Sequence, residues 1–227
     1  PLLLSAAPKD LVDLQVYPKD ARLVTLRAKQ QLMVQATYAD STTRDVTALA
    51  KYTFADPKLV KFENHIIRPV ADGETSLKIE FAGRTLTLPV KVGKATEERP
   101  VRFSLDVMPT FTKGGCNAGG CHGASSGKDG FRLSLFGFDS RSDYQSITRE
   151  NLGRRINLAL PNDSLLLEKA TGRVTHTGGK VITAESSLYK TIVRWLETGA
   201  PDDPAGTKKV LDLEIYPKQS EIGRASC

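Results

Sequence analysis

Short runs that alternate apolar and polar residues fill the first hundred positions of the chain. Residues 31–38, Gln-Leu-Met-Val-Gln-Ala-Thr-Tyr, alternate as a strand with one buried face does. Residues 79–90 carry two such runs on either side of Ala82-Gly83, a pattern that predicts a hairpin. Further short strands are expected at residues 14–17, 60–63 and 66–70. Many short strands separated by turn residues are typical of a β-sandwich, which we expect over residues 1–100.

The pattern becomes helical beyond residue 100. Residues 187–196 place apolar side chains three or four positions apart, and Gly199 follows where such a helix would end. A second helix is expected over residues 164–170, with Asn162 or Asp163 as its cap. This part of the chain is therefore expected to be mainly α-helical.

A short helix, expected over residues 103–111 and broken near Pro109, leads into the most informative motif of the chain. Gly-Cys-Asn-Ala-Gly-Gly-Cys-His-Gly follows at residues 115–123 and holds two of the three cysteines and one of the three histidines. A cysteine pair followed directly by histidine is the attachment signature of a c-type haem, usually spaced C-x-x-C-H. Here four residues separate the cysteines, and the two glycines between them, Gly119 and Gly120, are expected to absorb the longer gap.

Three other interpretations of these cysteines remain open at the level of the residues. Cys116 and Cys121 could form a disulfide, as suits an exported protein. Zinc could be bound by Cys116, Cys121, His122 and His176, an allowed ligand set in an unusual spacing. Finally, both thiols could be reduced and without a partner.

Several separate segments in this region resemble one family in the same order. They run from Met108 through CNAGGCHG, then GKDGFRLSLFGFD, GRRINLALPNDSLLLEKATG and RWLETGAPDD, within residues 102–203. Together they resemble the planctomycete-type cytochrome c domain, in which the C-x4-C-H spacing also occurs. The resemblance implies one haem c, tethered by thioethers from Cys116 and Cys121, with His122 as the proximal ligand of the iron.

The second axial ligand is expected to be a histidine. Ordinary members of the family carry a methionine between the second and third helices, whereas no methionine follows Cys121 in this chain. At the corresponding place stands His176, which implies an iron held by two histidines and a low reduction potential. Met108 is the alternative ligand, and an open iron is a third arrangement.

The resemblance also suggests residues around the porphyrin and a small insertion. The insertion, hairpin-like in form, is expected over Phe131–Phe138. Two arginines, Arg154 and Arg155, are candidates for pairing with the haem propionates. Candidates for the apolar lining are Phe131, Leu133, Leu135, Leu158, Leu165 and Trp195.

The flanking segments resemble bacterial Ig-like domains of surface proteins. The run Tyr-Ala-Asp-x-Thr-x-Arg-Asp-Val-Thr at residues 38–47 carries this resemblance. The segment 11–19, Leu-Val-Asp-Leu-Gln-Val-Tyr-Pro-Lys, recurs at 210–218 as Val-Leu-Asp-Leu-Glu-Ile-Tyr-Pro-Lys, which predicts the opening strand of a second such domain. The expected domains are an Ig-like sandwich at 1–100, a cytochrome c-type domain at 101–204, and a linker with a truncated Ig-like strand at 205–227.

Composition adds limits on partners and location. The net charge of +6 is spread along the chain without the basic stripe of a nucleic-acid binder. No apolar run is long enough to span a bilayer. Because haem c is attached outside the bacterial cytoplasm, we expect a periplasmic or cell-surface protein, part of a longer polypeptide, that exchanges electrons with a redox partner.

Taken together, these observations predict a non-enzymatic electron-transfer module with an all-β Ig-like sandwich followed by a mainly α-helical cytochrome c-like domain. Two alternatives belong to other classes. One is a haem-free adhesion module with a Cys116–Cys121 disulfide. The other is a haem domain with an open iron that serves an oxidative enzyme.

Overall fold

The computed structural model describes residues 10–207 and 210–216 of the 227-residue chain. The chain divides into two compact units. The first, which we call the strand unit, comprises Pro1–Arg99 and Asp212–Cys227, and the second, the pocket unit, comprises Pro100–Leu211. Each unit has a hydrophobic core of its own.

Short strands make up the strand unit. Within the described residues they are β1 Leu11–Tyr17, β2 Ala21–Val24, β3 Gln30–Gln31, β4 Met33–Tyr38, β5 Thr43–Asp45, β6 Lys51–Phe54, β7 Val60–Glu63, β8 Ile66–Pro69, β9 Gly73–Phe81 and β10 Arg84–Gly93. They form three sheets, ordered β1-β4-β5, β2-β10-β9-β6 and β3-β8-β7. All pairs are antiparallel except β2 with β10, which is parallel.

The longest pair of strands, β9 and β10, shows why these residues form a sheet. Alternate side chains of β10, at Leu88, Val90 and Val92, are buried, while the residues between them are exposed. The turn lies at Ala82 and Gly83, with φ of 47° and 81°, the left-handed values that a two-residue hairpin turn needs. The hairpin predicted from this dipeptide is therefore present.

The pocket unit contains helices that are few and short. In the described residues the α-helices are α1 Met108–Lys113, α2 Ser140–Thr148, α3 Leu165–Thr171 and α4 Ser187–Glu197, with a π-helical turn at Phe103–Val107 and 3-10 turns at Leu135–Gly137, Glu150–Gly153 and Pro161–Asp163. None of these helices is long and apolar enough to cross a membrane.

The prediction that a mainly α-helical cytochrome c-like domain follows the strand unit is wrong. Strands hold 27% of the described residues and helices only 23%, and loops join the four short α-helices. The longest loop runs through residues 114–134, where seven glycines occur. Glycine loses more backbone freedom in a helix than any other residue, so this stretch folds as turns.

Helix α4 provides the centre of the pocket unit's core. Its Trp195 is fully buried against Phe103 and Tyr144, whose ring centroids lie 5.3 and 6.3 Å from the indole. The indole N–H donates to the Pro201 carbonyl at 2.9 Å, so burial leaves no polar group unpaired there. The helix begins after Ser186, whose hydroxyl accepts from the Tyr189 N–H.

Several local expectations need correction. Helix α1 continues through Pro109, because a proline in the first turn removes no intrahelical bond. Helix α3 begins after Ser164 rather than after Asn162 or Asp163.

The expected hairpin-like insertion at Phe131–Phe138 is absent. A single bridge pairs Phe131 with Lys128, and a 3-10 turn follows in which Phe136 has a φ of 54°. Hydrogen bonds between Ser134 and Asp143 take the place of a sheet ladder. The Ser134 N–H and hydroxyl donate to the Asp143 carboxylate at 2.5 and 2.6 Å.

The expected second Ig-like strand at residues 210–218 falls only partly within the structure. Residues 208–209 and 217–227 lie outside the described part of the chain. The described residues 210–216 contain no strand, and the Tyr216 ring stacks on Tyr17 of β1 with centroids 5.2 Å apart. The domain boundaries therefore stay a prediction.

Candidate functional site

The cysteine–histidine motif forms a tight loop directly after α1. The Cys116 N–H donates to the Phe111 carbonyl at 2.9 Å, and the His122 N–H donates back to the Cys116 carbonyl at 3.0 Å. This second bond brings the backbone of His122 next to Cys116 despite the five intervening residues.

Glycine is needed in this loop at a different place from the one expected. Neither Gly119 nor Gly120 has a positive φ, so the expectation that this pair absorbs the gap by special backbone angles is wrong. Gly123 is the tight position, because a Cβ there would collide with the Asn117 carbonyl. Gly115, with a φ of 73°, makes the turn out of α1.

An open cavity lies beside this loop, inside the pocket unit. Its volume is about 240 Å³. The lining is Thr110, Phe111, Cys116, His122, Lys128, Asp129, Phe131, Asn151, Arg154, Arg155, Leu165, Leu166, Lys169, Ala170, His176, Val181, Ile182 and Ile192. Cys116, His122 and His176, three of the four residues predicted to bind a cofactor, are thus on one cavity.

The imidazole of His122 is held with one nitrogen free for a ligand. Its Nδ1 lies 3.0 Å from the Phe131 carbonyl oxygen. Since a carbonyl only accepts, Nδ1 carries the hydrogen and the lone pair is on Nε2. Burial, ahead of weaker effects, lowers the pKa of His122, which favours the neutral ring that metals bind.

The imidazole of His176 is held in the same way on a separate loop. Its Nδ1 donates to the Gly179 carbonyl at 3.0 Å. The loop itself is tied to α3, because Lys169 Nζ donates to the Thr175 carbonyl at 3.0 Å. Nε2 is therefore also the ligand nitrogen that His176 offers.

The two imidazole rings lie close together in the lining of the cavity. Their ring centroids are 6.1 Å apart and their planes differ by 14°. Two metal–imidazole bonds of about 2.0–2.1 Å, with the half-width of each ring, add up to roughly 6 Å. A centroid spacing of this size is long enough for one metal atom bound by both Nε2 atoms.

The two cysteines of the motif are free thiols in the structure. Cys116 lines the cavity and is mostly buried, and this burial, with a smaller effect of the nearby Cys121, raises its pKa to about 11. Cys121 is half-buried and is not among the lining residues. No disulfide joins them, whereas the adhesion-module alternative requires one.

Basic side chains surround the cavity in excess over acidic ones. Arg154 and Arg155, the predicted partners of carboxylates, are both in the lining. Lys128 and Lys169 also line it, against one carboxylate, Asp129. Lys128 and Lys169 were not predicted from the sequence. They lie 41 positions apart, so no local sequence pattern connects them with one cavity.

The predicted apolar lining is only partly present. Phe131 and Leu165 line the cavity. Leu133 and Trp195 are instead buried in the core, and Leu135 and Leu158 are exposed. Met108, the alternative iron ligand, is buried in α1 and absent from the lining.

A metal site made by protein side chains alone is not present in the described residues. There, no group of three or more His, Cys, Asp or Glu side chains could hold a metal ion. This finding contradicts the zinc interpretation with Cys116, Cys121, His122 and His176. The expectation of a cytochrome c fold, and that of a metal ion held by side chains alone, are accordingly wrong for the described residues.

Comparison with known proteins identifies no family. No protein-family model matches the chain, and no curated protein matches it. Two solved structures similar to it are domains 4 and 5 and domains 5–6 of the S-layer protein SbsC, with TM-scores of 0.30 and 0.31 and sequence identities of 16% and 18%. They cover 37% and 40% of this chain, which spans 52% and 46% of theirs. At such TM-scores the likeness carries no argument about function.

The lining offers apolar surface, imidazole nitrogens and positive charge to one ligand. Aliphatic and aromatic side chains form much of the wall, the two imidazole planes differ by 14°, and four cations stand around the cavity. A porphyrin supplies four nitrogens to its iron and needs only two from the protein, so the absence of a three-residue metal group does not bear on it.

Proposed function

We propose that the pocket unit binds one haem covalently and carries electrons as part of an exported protein. His122 and His176 would be the axial ligands, and Cys116 and Cys121 the thioether anchors. The observation that carries this proposal is the pair of near-parallel imidazoles, 6.1 Å apart, on a cavity that Cys116 also lines.

The chain's own residues support each role. The carbonyls of Phe131 and Gly179 accept from Nδ1 of the two histidines, and metal-bound imidazoles usually donate their other ring N–H in this way. Phe111, Leu166 and Ile182 supply apolar surface, and Lys128, Arg154 and Lys169 supply positive charge for two propionates.

The bound haem would supply a one-electron iron couple. Two histidine ligands leave the iron at a lower potential than a histidine and a methionine do, and they leave no position for a substrate. An electron carrier therefore fits better than an enzyme. Because haem c is attached outside the bacterial cytoplasm, the proposal includes a periplasmic or cell-surface location and a redox partner protein.

The test compares three single-histidine variants of material matured with haem c machinery. His176→Ala should keep its covalent haem after acid–acetone extraction, lose the six-coordinate spectrum and bind carbon monoxide when reduced. His122→Ala should carry much less haem. His65→Ala, in the strand unit, is the matched control and should resemble the unaltered protein in all three measurements.

Mass spectrometry of the same material decides between the proposal and its alternatives. The proposal requires the mass of one haem on the peptide that contains Cys116 and Cys121. Unmodified or disulfide-linked cysteines in a colourless protein would instead indicate the haem-free surface module. Carbon monoxide binding by the unaltered protein would indicate an open iron.

A further inference from the structure

Arg155 is a buried cation in the wall of the cavity. It is 7% exposed. Its guanidinium donates to the Ser146 carbonyl at 2.6 Å and to the Gly130 carbonyl at 2.8 Å. A buried guanidinium needs acceptors of this kind to offset the loss of water, and here backbone carbonyls provide them.

The guanidinium is linked to His122 through a single residue. Its Cζ lies 4.4 Å from the centre of the Phe131 ring, a cation–π contact. The Phe131 ring in turn packs on the His122 ring with centroids 4.6 Å apart. The Phe131 carbonyl accepts the His122 Nδ1 hydrogen, and the neighbouring Gly130 carbonyl is the one Arg155 binds.

The positive charge of Arg155 is only partly offset. Glu150 Oε2 lies 3.5 Å from its Nη1, but 51% of the Glu150 side chain is exposed against 8% of the Arg155 side chain. Water therefore screens the carboxylate more than the guanidinium. Burial lowers the pKa of Arg155, yet an arginine remains charged at neutral pH.

We propose that Arg155 is a positioning residue that raises the reduction potential of the iron bound by His122. This inference rests on the proposed function. Reduction of the iron adds one negative charge, and a fixed cation in a medium of low dielectric constant stabilises the reduced state. Arg155 thus counteracts the low potential that two histidine ligands impose, and its bond to Gly130 keeps the Phe131 carbonyl in place.

The experiment measures midpoint potentials of the haem-loaded full chain by redox titration. Arg155→Met should lower the equilibrium constant for reduction about tenfold, which corresponds to about 59 mV for a one-electron couple. Glu150→Gln removes the counter-charge from an exposed position and should raise that constant by a few-fold. Arg155→Lys keeps the charge and should stay closer to the unaltered protein than Arg155→Met does.

Arg149→Gln is the matched control. This substitution removes the same charge from an exposed side chain outside the cavity lining. The midpoint potential of the haem-loaded variant should equal that of the unaltered protein. If Arg155→Met does not fold, the midpoint potentials of Glu150→Gln and Arg155→Lys test the proposal instead. Glu150→Gln is expected to fold, because it changes only an exposed carboxylate.

The outcomes separate this inference from the function on which it rests. Covalent haem with unchanged potentials in Glu150→Gln and Arg155→Met would overturn the role of Arg155 and leave the haem proposal standing. A lower melting temperature of Arg155→Met with an unchanged potential would show a purely structural role and overturn it as well. Unaltered protein without covalent haem would overturn both.

Discussion

At the scale of single residues, backbone carbonyls determine what the pocket histidines can do. His122 and His176 each donate Nδ1–H to a carbonyl in a loop, so Nε2 is the nitrogen of each ring that a metal would bind. The sequence singled out both histidines, one by its motif and one by its position. It could not show the acceptors at Phe131 and Gly179, since loop carbonyls leave no trace in residue type.

Gly123 is the residue of the motif whose replacement should cost most stability. A Cβ at this position would collide with the Asn117 carbonyl and come within 2.9 Å of the Ala118 oxygen, both of them backbone atoms that cannot rotate away. Gly123→Ala should therefore lower the free energy of unfolding by about 3 kcal/mol, as overpacking does in a tight interior. Urea denaturation of the haem-free chain measures this.

Gly120→Ala is the control from the same loop. Gly120 has no heavy atom within 4 Å of an added Cβ and no positive φ. Its replacement should change the free energy of unfolding by less than about 0.5 kcal/mol, as for an ordinary surface substitution. Equal losses for the two alanine variants would contradict the steric argument.

Residue identity thus indicated residues of the cavity and was a poor guide to their surroundings. The motif indicated Cys116 and His122, and the cavity contains both. Leu133 and Trp195 were expected on the cavity and are in the core instead, because hydrophobicity predicts burial but not what a buried side chain faces. Arg155 was a candidate partner of the propionates, but its bonds to the Ser146 and Gly130 carbonyls could not be predicted.

At the scale of elements, α4 was predicted almost to its ends. Its apolar face is strongly periodic and Ser186 is a good cap, so local and tertiary preferences agree. The loop over residues 114–134 is the opposite case: its conformation depends on bonds between distant carbonyls and amides, such as Leu133 N–H to the His122 carbonyl at 2.8 Å. Periodicity cannot predict such bonds.

The cap of α4 gives a prediction at this scale. The Ser186 hydroxyl accepts from the Tyr189 N–H at 3.2 Å, one of the amide groups that a helix start leaves unpaired. Ser186→Ala should lower the free energy of unfolding of the pocket unit by about 1 kcal/mol. Ser187→Ala, at the exposed first residue of the helix, should leave it unchanged or slightly raised. Similar losses in both variants would contradict the capping role.

At the scale of the whole molecule, two cores without a common residue divide the described chain. One is formed by strand residues such as Val34 and Leu88, the other by residues such as Phe103 and Trp195. Alternation predicted β1, β4, β7, β8 and the β9–β10 hairpin, and it missed β2, β5 and β6. The extent of helix beyond residue 100 was overestimated, because the helical segments are separated by glycine-rich loops that have no period.

Separate cores predict separate responses to haem. Calorimetry of the haem-free chain should show two unfolding transitions, and covalent attachment should raise by several degrees only the one that belongs to the pocket unit, since a ligand stabilises the unit it binds. Hydrogen exchange assigns each transition, with Val34 and Trp195 as reporters. A single transition, or equal shifts of both, would contradict this.

The parallel pairing of β2 with β10 has a consequence for synthesis on the ribosome. Residues 90–93 of β10 lie between β2 and β9, inside the four-stranded sheet, so residues 21–24 have no neighbour in that sheet until the last strand has been made. The growing chain must therefore emerge past Gly93 before the strand unit can close, and until then β2 is an unpaired edge open to aggregation. A pause in translation shortly after Gly93 has emerged would give β2 time to pair and so protect the nascent protein. A pause before that point would prolong the exposure of β2.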